Sequence, residues 1–157
     1  MRKLIKNYFK STKGSNLIEF AIIAPIFILI NIGILDLGAM MIVQNSLDAG
    51  ARAASRFGLT GATAGSTRTT AIVNEINTTV SDYSGGLVQT QNLLINIEAY
   101  PNLTNYVANT GTTGSYGTGG QIVKYTISYN WPTFLAIFGF PSPVQLSGTA
   151  TVQNENF

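Results

Sequence analysis

A chain of 157 residues, 45% of them hydrophobic and only 10% charged, leaves room for one domain of about a hundred residues behind an N-terminal anchor. It has no cysteine and no histidine, which excludes a disulfide framework, thiolate chemistry, zinc sites of the usual kinds and Ser-His-type catalysis. The formal charge of +2 is carried by the head: Arg2, Lys3, Lys6, Lys10 and Lys13 precede Gly14, and the remainder has four Lys or Arg against seven Asp or Glu, a net −3, so no nucleic-acid partner is implied.

After the basic head comes Gly14-Ser15-Asn16-Leu17-Ile18-Glu19-Phe20, opening an apolar run from Ala21 to Val43. No charged side chain stands between Phe20 and Leu35, and at 1.5 Å per helical residue that stretch covers about 24 Å of a hydrocarbon core roughly 30 Å thick. The run predicts a membrane-spanning helix over 15–43, with the basic flank on the cytoplasmic side and everything after it outside. Asp36 is expected near the outer interface, solvated by headgroup water, in preference to a buried place as an intersubunit partner. A cleaved secretory signal fits poorly: the run exceeds an h-region of about 7–15 residues, and the first A-x-A-like site, Ala49-Gly50-Ala51, lies well beyond it.

The helix is predicted to continue to Phe57, bent at Pro25 and stopped by Gly58. Beyond Val43 it becomes amphipathic and rich in small residues. Gly50 with Ala54, and Ala49 with Ala53, stand four apart and would let another backbone approach closely. That backbone belongs either to the chain's own domain or to a neighbouring subunit.

Glu19 is a costly residue beside lipid unless it is paired. A basic head, Gly14, Ser15 and then Glu19-Phe20 resemble the processing site of type IV pilin-like proteins. The resemblance implies cleavage by a prepilin peptidase after Gly14, Ser15 as the new N-terminus, and Glu19 attracting the amino group of a neighbouring subunit. Further along, Glu19-Phe20-Ala21, Ala24-Pro25, Gly33-Ile34-Leu35-Asp36-Leu37-Gly38 and Ala49-Gly50-Ala51-Arg52-Ala53-Ala54 resemble the N-terminal region of TadE-like proteins, pseudopilins or minor pilins of the tight-adherence (Flp) pilus machinery of bacteria. The tail, Thr149 to Glu155, is similar to that family's final strand.

This resemblance implies a single-pass protein of the bacterial inner membrane that takes part in assembling a Flp-type pilus. Its partners would be the membrane, the peptidase, other pilins and the assembly platform, with Glu19, Gly50 and Ala54 in subunit assembly and no cofactor, metal or small-molecule substrate. The implied organisation is a leader over 1–14, a span over 15–43, a helical extension over 44–57 and an extracytoplasmic domain over 58–157. A permanently anchored binding or scaffold domain with an uncleaved leader is the alternative.

Past a Gly/Ala/Thr/Ser connector over 59–70, a second helix is predicted over 68–81, with Ser66 or Thr67 as N-cap and Ile72, Ile76 and Val80 on one stripe. The period then switches to two. Leu93 to Tyr100, Val123 to Trp131 and Val144 to Val152 each alternate an apolar with a polar face. Residues 101–121 read as a flexible Asn/Thr/Gly-rich loop, and the apolar stretch Pro132 to Pro143 as a helical turn capping the core or else an exposed patch for a partner or the membrane surface. The fold class is α+β: a long N-terminal helix, a second short helix and a small antiparallel sheet of about three strands. The acids are scattered without a basic or metal-binding companion cluster, so no enzyme is expected.

Overall fold

The computed structural model describes residues 12–59 and 67–155, with side chains from Asn16 onward. Residues 1–11 of the leader, and Ser66 as a candidate cap, lie outside the described residues. The first helix, α1, runs from Thr12 to Leu59 with Pro25 inside it. It passes through Gly58 rather than stopping there. A Cβ at Gly58 would collide with the Tyr125 hydroxyl, so this glycine serves a close approach and not a helix stop. The last carbonyls are taken up from elsewhere: Arg68 Nη2 donates to the Gly58 carbonyl at 2.6 Å and the Glu155 amide to that of Leu59 at 3.3 Å.

The second helix, α2, spans Arg68–Ser84. Thr67 caps it by accepting from the Thr70 amide, and Gly85, within the Ser84-Gly85-Gly86 stretch expected to close it, ends it in the left-handed region at φ 59°. Ile72, Ile76 and Val80 form its buried stripe, as the spacing requires.

Four strands follow, β1 (Leu94–Tyr100), β2 (Thr112–Thr113), β3 (Ile122–Trp131) and β4 (Val144–Gln153). They form one antiparallel sheet in the order β2-β1-β3-β4. The central strand, β3, alternates without exception from Val123 to Trp131, and its inner face meets α1 and α2. The 101–121 segment is more ordered than its composition predicts. It holds a short helix α3 (Leu103–Val107), capped by Asn102, and the two-residue β2. The core joins Val43, Leu47, Ala51 and Ala54 of α1 to the α2 stripe and to Ile97, Val123, Tyr125 and Ile127.

Gly148 sets how closely α1 lies on β4. A Cβ there would run into the backbone of Leu47 and Asp48, so only glycine lets the helix rest directly on the strand. Because β3 is antiparallel to β4 and begins beside the end of α1, it leads back along that helix and delivers Trp131 to Asp36.

Candidate functional site

From Leu17 to Ile30 the side chains of α1 are mostly exposed. Phe20, Phe27 and Leu35 keep 72%, 64% and 73% of their surface, and Ile22, Ile26 and Ile30 are likewise exposed. This is the one helix among the described residues long and apolar enough to cross a membrane. From Asp36 onward the domain covers one face of the same helix, fully at Val43, Leu47, Ala51 and Ala54, while Leu37, Met41 and Ile42 remain exposed.

Asp36 marks the change, and not as predicted. It is 1% exposed rather than solvated, because the domain reaches back along α1 and closes over it. Its carboxylate accepts from Trp131 Nε1 at 2.9 Å and from the Thr133 hydroxyl, and the backbone amides of Leu135 and Phe134 also interact with it. Thr133 in turn caps the 3-10 turn Phe134–Phe138 by accepting from the Leu135 amide at 3.2 Å. A carboxylate in apolar surroundings needs several donors to be tolerated there, and a buried indole N–H needs an acceptor. Each group answers the other's requirement. Two sequence signals pointed this way: an acid inside an apolar helix and a tryptophan followed by Pro132-Thr133 at a strand end. Nothing local paired them, since they lie 95 residues apart.

The turn below this latch faces outward. Leu135 is half-buried, with its Cδ2 3.9 Å from where a Cβ on Gly33 would stand. Phe134, Ile137, Phe138 and Phe140 are exposed, and a groove lined by Ile32, Leu35, Phe134, Ile137 and Phe138 joins the turn to the bare half of α1. The helical turn is formed as predicted, but most of its apolar side chains do not cap the core.

The residues singled out for processing and assembly fall in two groups. Gly14 and Ser15 lie near the start of α1, and Glu19 and Phe20 are exposed on the turn that follows. Gly50 and Ala54 are placed in the chain's own core. A Cβ on Gly50 would stand 2.6 Å from Val80 Cγ2 and 3.4 Å from Ile127 Cδ1, so the close approach made here is that of α2. The structure therefore brings Gly50 and Ala54 together, away from Glu19.

The far end of the domain is held by polar contacts. Arg68 Nη1 donates to the Gly117 carbonyl at 2.9 Å, and buried Asn154 donates from Nδ2 to the carbonyls of Tyr116 and Thr118 while its backbone pairs with Gly120 and Gln121. Tyr100, 1% exposed, donates its hydroxyl proton to Glu98 Oε2 at 2.7 Å, lies 3.1 Å from Asn109 Oδ1, and packs edge-on against Tyr106. The Glu98 bond, reinforced by burial, pushes the Tyr100 hydroxyl up to about 12. These groups serve the loop fold.

A bare apolar half-helix continuous with the first helix of a packed α+β domain fits a single-pass membrane protein. Over that helix the chain is similar to a known family. Residues 14–56 match the family model described as TadE-like protein, which bears out the resemblance read from Gly14, Glu19-Phe20 and the small-residue segment around Gly50. No curated protein and no solved structure matches the chain.

Proposed function

We propose that this chain is a TadE-like minor pilin that takes part in building a Flp-type pilus for surface adherence. The single observation that carries the reading is a coincidence of boundaries. The family-matched segment opens at Gly14, the glycine of the processing motif, and follows α1 through its bare half into the packed half.

In this reading the leader is cytoplasmic, a prepilin peptidase cuts between Gly14 and Ser15, and the domain stands outside the inner membrane. The bilayer covers the apolar run of α1, read as residues 15–43; the domain occupies one face of the helix from Asp36 on, while Leu37, Met41 and Ile42 stay exposed on the others. The role is assembly rather than catalysis. Glu19, a carboxylate near the inner boundary, is neutralised by the amino terminus of the next subunit as helices pack side by side, with other pilins and the assembly platform as partners.

The test is Glu19→Ala in piliated bacteria. Membrane insertion and cleavage should persist while pili are lost or sharply reduced. Normal piliation in that strain would remove the pairing role from the account.

A further inference from the structure

We propose that the turn Phe134–Phe138, with Phe140, is a second membrane contact: an apolar wedge that sinks among the lipids of the outer leaflet beside α1. The proposal rests on the reading of α1 as a spanning helix. Three observations place the wedge in lipid rather than in water.

The first is level. The exposed apolar surface of α1 runs on past Leu35 to Leu37, Met41 and Ile42, so the groove partners of the turn on α1, Ile32 and Leu35, lie within the apolar run read as spanning. The second is composition. Phe134 is 62% exposed and Ile137 84%, and there is no charged residue anywhere from Pro132 to Gln145. A contiguous apolar surface of this kind is unfavourable in water, and a depth of about 5–10 Å at the headgroup boundary is where interfacial elements bury such a face. The third is rigidity. Asp36 grips Trp131 and Thr133 immediately before the turn, and Leu135 reaches in towards Gly33, so the wedge cannot swing away from α1.

The apolar surface of the wedge is continuous with that of the spanning helix, which is why lipid is its occupant. Two points of contact would fix the tilt of the domain over the membrane, where one helix alone would leave it free to rock.

The chain has no native cysteine, so single labels are clean. Full-length Phe27→Cys, Ile137→Cys and Val107→Cys, each carrying an environment-sensitive fluorophore, are reconstituted into phosphatidylcholine–phosphatidylglycerol vesicles and challenged with lipid-borne nitroxides and with aqueous iodide. Val107 is exposed on α3, at the end of the domain away from Asp36. The Ile137 label should be blue-shifted relative to Val107, quenched by nitroxide near the headgroup end of the acyl chain, and protected from iodide. Iodide quenching equal to that at Val107 would overturn the wedge, and so would a label shielded from both quenchers, which would mean that a second protein copy covers the patch. If the Phe27 label also escapes the lipid quenchers, the spanning reading itself fails. If Phe27 is quenched and Ile137 is not, only the wedge is lost.

Discussion

The two halves of α1 share a backbone but not a solvent. From Phe20 to Leu35 its side chains are apolar but for Asn31 and almost none is covered; after Asp36, apolar positions at Val43, Leu47, Ala51 and Ala54 are sealed while Arg52 and Arg56 face out. Burial is therefore decided by what packs against a residue, and the bare half is built for a partner that is not protein from its own fold. The boundary is held by one carboxylate whose donors come from the far end of the sheet.

This contrast can be broken from the packed side first. Gly148→Val forces a side chain into the backbone of Leu47 and Asp48, and should destabilise the domain by about 3 kcal/mol or more in urea unfolding in detergent, followed by the single tryptophan, Trp131. Leu47→Ala should cost about 3 kcal/mol by leaving a cavity in the core. The matching change in the bare half, Phe27→Ala, should stay within about 0.5 kcal/mol in the same assay; similar losses from both would erase the distinction.

Asp36→Ala tests the boundary itself. It leaves the Trp131 indole N–H and the Thr133 hydroxyl without their acceptor in a buried place, and should cost about 2 kcal/mol; an unchanged unfolding midpoint would mean that the latch does not hold the domain down.

A smaller effect than that of the latch is expected at the far end. Tyr100 is held protonated in the fold with its hydroxyl near 12, whereas in the unfolded chain it titrates near its ordinary value of about 10. Above pH 10 the unfolded chain gives up that proton first, so the stability contributed by Tyr100 is complete below pH 10 and is lost as pH rises towards 12. Tyr100→Phe should cost about 1 kcal/mol at neutral pH and flatten that alkaline decline; an unaltered decline would place its cause in another group.

Much of this organisation was legible because it rests on period. The 3.6-residue spacing of Ile72, Ile76 and Val80 and the two-residue spacing along β3 each state which face is inward. What composition could not convey depends on distant pairing. The two residues of β2 form a strand only because Glu98 and Ala99 lie opposite them, and α3 is steadied by the Tyr100–Tyr106 contact. Tyr100, on the polar face of its strand, is buried because that loop folds over it. Gly58 looked like a helix stop and proved to be a gap for a tyrosine hydroxyl. Asp36 looked like an interfacial anion because its donors lie on another element, at the opposite end of the sequence.

The central claim is a pilin-type processing event, and an intact mass tests it most directly. For protein extracted from native membranes of piliated cells, the account predicts a polypeptide that begins at Ser15, with the five basic residues of the head gone. A mass that retains Met1 in cells whose prepilin peptidase is active would contradict it.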